Sequence, residues 1–145
     1  MSAYLLDVNV LVAMAWPRHS GHAVVQKWLA RHAREGWASC PFTQAAFVRI
    51  ISNPAFSRDA LSPKQALALL RANLDQPDHK FWPAVLTVNE ALATVGRVVG
   101  HQQITDAYLL GLALHNKGRL ATLDRGTMSL LPMDSPTRAH IVVIS

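Results

Sequence analysis

Three aspartates adjoin apolar segments in a chain that has few acidic residues. Asp7 interrupts the apolar run at 4–12, Asp106 opens a segment that is apolar almost throughout, and Asp124 directly follows another apolar run. A carboxylate beside a protein core is unfavourable unless it is paired, hydrogen-bonded or bound to a metal. Capping of the following helix is the competing explanation for Asp7. Three such aspartates among nine acidic residues nevertheless favour one shared site.

Carboxylates that lie close together repel one another, so that either a pKa rises or a divalent cation neutralises them. Oxygen ligands without a cluster of Cys or His select Mg²⁺ or Mn²⁺. Such an ion can orient and help deprotonate a water and can stabilise charge on a reacting phosphate. The chain carries 14 basic and 9 acidic residues, a formal charge of +5, which favours polyanionic partners such as nucleic acid.

Length and composition indicate one globular domain. The chain has 145 residues, of which 50% are hydrophobic and 16% charged; this is enough for a sizeable core and is untypical of disorder. The uncharged apolar runs are too short for a membrane span, and no basic segment of a signal peptide precedes them. Cys40 is the single cysteine, which excludes an intrachain disulfide and favours a cytoplasmic protein.

Apolar periodicity and turn residues predict alternating strands and helices. We predict strands from Tyr4 up to Asp7 and over 37–40, 84–88, 119–123 and 140–144. We predict helices over 10–16, from 20 or 21 up to Gly36, and over 44–51, 63–73, 89–99 and 106–116. We expect a loop from Asp75 to Trp82, in which His79 and Lys80 face solvent. This order implies an α/β fold with a mostly parallel central sheet of about four to five strands and helices on both faces.

In such sheets, sites lie beyond the carboxyl ends of the strands. Asp7 and Asp124 are predicted to follow strands, whereas Asp106 and Gln44 are predicted to lie in the first turns of helices. All four can therefore meet at one edge of the sheet. Two further polar residues, Asn9 and Thr105, stand beside the aspartates and could orient them or bind a metal-bound water. Turn and capping roles are the alternative for both. Thr122 stands beside Asp124, and for it we expect the capping role.

Four short motifs in order resemble those of PIN-domain ribonucleases, above all the VapC-type toxins of toxin–antitoxin pairs. They are LLDVNVL at 5–11, CPFTQAAFVRI at 40–50 with Asn53-Pro54, ITDAYL at 104–109 and LATLD at 120–124. The resemblance covers nearly the whole chain and implies a single PIN-like domain over 1–145. It further implies a Mg²⁺- or Mn²⁺-dependent endoribonuclease that is usually dimeric and is inhibited by a small VapB-type antitoxin. It carries over Asp7, Asp106 and Asp124 as the acidic metal-site residues.

The sequence departs from the family pattern at Gln44, where many members have Glu. Its amide oxygen is a poorer ligand, although it could still hold a metal-bound water. Three carboxylates are left, which suggests one firmly held ion and admits a catalytically weak or inactive module that binds RNA or an antitoxin. A phosphatase of the haloacid dehalogenase type would need Asp at position 9, where this chain has Asn9.

Overall fold

A five-stranded, entirely parallel sheet forms the centre of the molecule. The computed structural model describes residues 3–96, 98 and 100–145. The strands follow the spatial order β3-β2-β1-β4-β5. They are β1 (Tyr4–Leu6), β2 (Trp37–Ser39), β3 (His79–Phe81), β4 (Arg119–Thr122) and β5 (Ile141–Val143). The predicted α/β class is confirmed, and the sheet is wholly rather than mostly parallel.

Six α-helices in the described part of the chain connect and cover these strands. They are α1 (Val8–Ala15), α2 (His22–His32), α3 (Pro41–Ile51), α4 (Pro63–Leu74), α5 (Val88–Ala93) and α6 (Ile104–His115). Short 3-10 turns add to them, one of which, Arg125–Leu130, follows β4. None of the described helices is long and apolar enough to cross a membrane.

The alternation of side chains along the strands explains why both faces of the sheet are covered. Leu5 and Leu120 face a cluster of buried side chains that includes α6, whereas Leu6 and Ala121 face a second cluster that includes α1, α3 and α4. All four strand residues are fully buried. Strands that are apolar on both faces need such a double cover, so the predicted helices on both faces are confirmed.

The order of the strands reverses direction at β1. The chain proceeds from β1 to β2 and β3 on one side and then crosses to β4 and β5 on the other. Leu6 lies level with Ala121 of β4, and Leu5 with Ala38 of β2. A reversal of this kind opens a crevice at the carboxyl ends of the strands, which is where open α/β sheets bind ligands. We refer to this side of the sheet as the carboxyl edge.

The strand predicted at 84–88 is wrong. The third strand of the sheet is instead β3, in the segment that we expected to be a loop. Pro83 has no N–H for a ladder, and the last ladder-like bond runs from the Trp82 N–H to the Ser39 carbonyl,. Thr87 and Glu90 then cap α5 reciprocally, so Val88 begins a helix.

The bounds of most predicted helices shift by a few residues, and two of these shifts have a clear local cause or consequence. The helix predicted over 89–99 ends at Ala93; of its remaining length, Arg97 and Val99 lie outside the described residues. Helix α3 begins at Pro41 rather than after Thr43. The Thr43 hydroxyl instead accepts a hydrogen bond from the Cys40 N–H within the first turn, so it supports the helix start from inside.

Gly111 lets α5 and α6 approach closely. A Cβ at this position would lie 2.6 Å from the Ala91 carbonyl oxygen and 2.9 Å from its Cβ. We therefore expect Gly111→Ala to lower the free energy of unfolding by about 1–3 kcal/mol, because the two helices must move apart. Gly96→Ala is the control, since a Cβ there meets nothing within 4 Å. Equal urea midpoints for the two variants would contradict the close packing.

Candidate metal centre

Asp7 follows β1 directly and is both a helix cap and a buried acid. Asp7 is buried, with a relative exposure of only 5%. The Val8 N–H donates to Oδ1 at 2.7 Å, and the Thr122 hydroxyl donates to Oδ2 at 2.8 Å. Burial raises the pKa of Asp7, the two hydrogen bonds oppose that shift, and the charge of Asp124 adds to it. The capping explanation and the site explanation therefore both apply to this residue.

Thr122, the last residue of β4, connects the ends of the two central strands. Its fully buried side chain donates to Asp7 and accepts from the Asp124 N–H at 3.1 Å and the Asn9 Nδ2 at 3.4 Å. Asn9 in turn accepts from the Leu123 N–H at 3.2 Å. Thr122 is therefore more than the capping residue that we expected, and Asn9 lies in the predicted site.

Asp124 lies at the end of the same network, on its exposed side. Its Oδ1 accepts from the Gly126 N–H at 2.8 Å, so it caps the turn Arg125–Leu130. Its backbone N–H is held by Thr122. Strand β4 thus brings one exposed carboxylate to the position next to the buried carboxylate of Asp7.

Asp106 enters the site from the first turn of α6. Three causes raise its pKa to about 6: burial first, then the charges of Asp7 and Asp124. The negative charges of Asp7 and Asp124 therefore both lie close enough to Asp106 to raise its pKa. In the described part of the chain, none of the three aspartates forms an ion pair with a Lys, Arg or His side chain. Three carboxylates thus share one electrostatic environment, and no described basic side chain neutralises them by an ion pair.

The donor chemistry of this cluster fits a hard divalent cation, although its geometry is open. Among the described residues, no three His, Cys, Asp or Glu side chains are gathered tightly enough to hold a metal ion. The aspartates nevertheless lie close enough for their charges to raise the pKa values of Asp7 and Asp106. Carboxylates that repel one another stay apart until a cation draws them together, so an open arrangement and mutual repulsion are compatible. Carboxylate oxygens are the ligands that Mg²⁺ and Mn²⁺ prefer.

Gln44 and Thr105 are the two other predicted site residues. In the described part of the chain, neither side chain forms a hydrogen bond with Asp7, Asp106 or Asp124. Gln44 lies in α3 and donates from Nε2 to the Ser39 hydroxyl at 2.9 Å. Thr105 is exposed beside Asp106 and lines a shallow apolar groove with neighbours that include Phe42. Position alone, at the amino ends of α3 and α6, places them near the carboxyl edge.

Sequence reasoning missed two polar residues next to Gln44. Ser39 ends β2 and is fully buried, and its hydroxyl lies 2.8 Å from the His79 Nε2. His79 was expected to face solvent but is half-buried and packs against the Trp37 ring, with centroids 4.6 Å apart. The position of Ser39 at the end of a predicted strand was the one signal available, since sites in such sheets lie there.

The profile of the PIN domain matches residues 4–130. The chain belongs to the PIN-domain family. It is 41% identical over 122 residues to ribonuclease VapC39 of Mycobacterium tuberculosis, and the aligned region covers 83% of this chain and 87% of that protein. It is 37% identical over 140 residues to ribonuclease VapC38 of the same organism, and the aligned region covers 97% of this chain and 98% of that protein. Within the PIN-domain family it is thus a member of the VapC ribonuclease toxins.

A solved structure shares the fold of this PIN domain. It is VapBC2 from Rickettsia felis bound to a DNA fragment from their promoter. The TM-score is 0.63 with 12% identical residues, and the match covers 99% of this chain and 97% of that chain. At this identity the likeness establishes the architecture alone.

Thr122 offers a direct test of how the PIN-domain site is held together. Thr122→Val keeps the shape of the side chain but leaves the buried Asp7 Oδ2 without its donor. We expect a loss of about 1–3 kcal/mol in the free energy of unfolding and a cleavage rate about ten- to a hundredfold lower. Thr122→Ser should restore both, because it keeps the hydroxyl. If the Val and Ser variants matched in stability and rate, the hydroxyl would have no orienting role.

Proposed function

We propose that this PIN domain is a Mg²⁺- or Mn²⁺-dependent endoribonuclease, the toxin of a type II toxin–antitoxin system, and that residues 1–145 act as one domain. The observation that carries the proposal is the group of three aspartates at the carboxyl edge, which forms no ion pair with a described basic residue and in which burial and the charges of Asp7 and Asp124 raise the pKa of Asp106 to about 6. A divalent cation would relieve the repulsion between these carboxylates. A metal-dependent cleavage of RNA also agrees with the ribonucleases to which the chain is similar.

Asp7, Asp106 and Asp124 would hold the ion with their carboxylate oxygens. When bound, the ion supplies an activated water and neutralises charge on the scissile phosphodiester. Asn9 and Thr122 keep Asp7 and Asp124 next to each other through the hydrogen bonds described above. A bound cation would hold Asp106 in its ionised form, because an opposite charge favours the ionised carboxylate.

We propose RNA as the substrate and a VapB-type antitoxin as the partner. The net charge of +5 supports a polyanionic substrate,. The solved neighbour of the same fold is a VapBC2 assembly, which supports the antitoxin. A homodimer and a cytoplasmic location are the expectations for such a toxin. Co-expression with a candidate VapB-type antitoxin tests the partner: a cognate antitoxin should co-purify with the chain and suppress cleavage.

Cleavage of a structured RNA by the purified protein tests the activity. We expect endonucleolytic products in Mg²⁺ or Mn²⁺, their loss in chelator, and their recovery when cation is restored. The Asp106→Asn protein is the matched negative control for a contaminating ribonuclease. Binding of RNA without cleavage in either cation would identify a binding module instead of an enzyme.

A further inference from the structure

A chain of hydrogen bonds runs from Gln44 of α3 through Ser39 of β2 to His79 of β3. The Gln44 Nε2 lies 2.9 Å from the Ser39 Oγ, which lies 2.8 Å from the His79 Nε2. Ser39 is fully buried, whereas Gln44 and His79 are half-buried. The middle of this chain is therefore shielded from water, and its hydrogen bonds must be satisfied within the protein.

The chemistry of the three groups fixes the direction of these bonds. The amide nitrogen of Gln44 can only donate, so the Ser39 oxygen accepts from it. The single hydrogen of the Ser39 hydroxyl is then free to be donated to His79. The backbone of Leu74 acts to raise the pKa of His79, as a neighbouring carbonyl that accepts from the ring does, which assigns the ring proton to that side. The Nε2 of a neutral His79 is left as an acceptor.

The opposite orientation of the Gln44 amide does not satisfy this chain. It would turn the carbonyl oxygen towards Ser39, whose one hydrogen cannot serve both that oxygen and the His79 Nε2. The neutral imidazole thus selects the orientation in which the Gln44 nitrogen faces Ser39. In the described part of the chain, no hydrogen bond engages the Gln44 carbonyl oxygen, which is left for a ligand.

We propose that Ser39 and His79 are positioning residues that hold the Gln44 amide so that its carbonyl oxygen accepts a hydrogen bond from a water of the hydrated cation. This proposal rests on the proposed function, because it concerns the same site. It gives the departure from the family pattern a physical reason. A neutral His79 calls for a hydrogen-bond donor at position 44, and Gln provides one where Glu does not.

The orientation of the amide can be measured without cation or RNA. Exchange of the side-chain NH₂ hydrogens with water is followed by NMR on protein with ¹⁵N-labelled glutamine, the Gln44 signals being identified by their loss in Gln44→Ala. We expect exchange about tenfold slower for Gln44 than for the exposed Gln65. His79→Phe keeps a ring against Trp37 but removes Nε2, and Ser39→Ala removes the hydroxyl. Each should abolish most of that protection.

A double-mutant cycle on kcat/KM tests whether the two residues act through Gln44. We expect His79→Phe to reduce kcat/KM about tenfold, as is typical for residues that orient a ligand. In the Gln44→Ala background it should have no further effect, since the group that it positions is gone. His115→Phe is the control, because His115 is exposed at the far end of α6, and it should leave kcat/KM unchanged in both backgrounds.

The outcomes separate this inference from the proposed function. Unchanged NH₂ exchange in both His79→Phe and Ser39→Ala overturns the inference even if the protein is an active ribonuclease. Additive losses in the cycle overturn it too, because they show that His79 acts independently of Gln44. If the wild-type protein cleaves no RNA in any cation, the proposed function fails and the exchange rates alone decide the orientation of Gln44. Should His79→Phe not fold, Ser39→Ala provides the same two measurements.

Discussion

Replacing Asp106 with asparagine should abolish RNA cleavage and at the same time stabilise the cation-free protein. The substitution removes one of three mutually repelling carboxylates, whose repulsion and burial raise the pKa of Asp106 to about 6. We expect the cleavage rate to fall by more than about a hundredfold, beyond the effect of residues that only orient ligands. If Asp106 were needed only for folding, the loss of activity would instead come with lower stability.

The stability gain should depend on pH with a definite sign. The pKa of Asp106 is about 6 in the folded protein against an ordinary value of 3.8, so the folded state keeps its proton over this interval while the unfolded state loses it. Stability of the wild type therefore falls as pH rises from about 4 to about 6 and stays lowered above that. The difference is about 2 kcal/mol once solvent screening is allowed for. Asp106→Asn should remove this part of the pH dependence.

Urea unfolding at pH 4.5 and 7.5, with and without Mn²⁺, measures both effects. Saturating cation should stabilise the wild type, by about 2.7 kcal/mol at a hundred times its Kd, and should stabilise Asp106→Asn far less. Asp75→Asn is the control for the change in total charge, since Asp75 is exposed at the end of α4. If Asp106→Asn proved less stable than the wild type at pH 7.5, the repulsion argument would be wrong.

The sequence predicts the central strands and the aspartates at their ends because these rest on local pattern. Strands β1 and β4 are apolar on both faces, and a strand buried in that way is recognisable from a few residues. Asp7 and Asp124 stand directly after them, so the strand ends also locate the site. The mutual effect of these aspartates on Asp106 then follows once the chain order is folded into a parallel sheet.

The edge of the sheet is harder to predict. Strand β3 has the sequence His-Lys-Phe, with Lys80 and Phe81 exposed, because an edge strand packs on one neighbour only. It has no apolar pattern, whereas the segment at 84–88 has one and is not a strand. His79 was consequently assigned to solvent. Its contact with Ser39 joins residues 40 positions apart, and no local pattern carries that information.

Gln44→Glu should make the protein bind Mn²⁺ more tightly but destabilise it above neutral pH. A fourth carboxylate at the carboxyl edge adds one negative charge, which should lower the Kd for Mn²⁺ about tenfold in a well-solvated site. Glu cannot donate to Ser39, however. The Ser39 hydroxyl would donate to the new carboxylate and leave the Nε2 of a neutral His79 without its donor, at a loss of about 1–3 kcal/mol.

Protonation of His79 would restore the chain, because its Nε2 could then donate to Ser39, which donates to Glu. In the wild type burial lowers the pKa of His79; in Gln44→Glu we expect this pKa to rise. A raised histidine pKa stabilises the folded state at low pH and ceases to do so as pH rises through it. The variant should therefore approach wild-type stability near pH 5.5 and fall below it at pH 8.

Calorimetric titration with Mn²⁺, urea unfolding at both pH values and NMR titration of the His79 ring together test this prediction. Gln65→Glu is the matched control. Gln65 is exposed in the first turn of α4, and its side-chain oxygen accepts from the Ser62 N–H, which Glu can also do. An unchanged His79 pKa together with equal stability at both pH values would show that Glu at this position does not engage Ser39. Unchanged or weaker Mn²⁺ binding would instead show that the missing negative charge at position 44 does not limit the affinity for the cation.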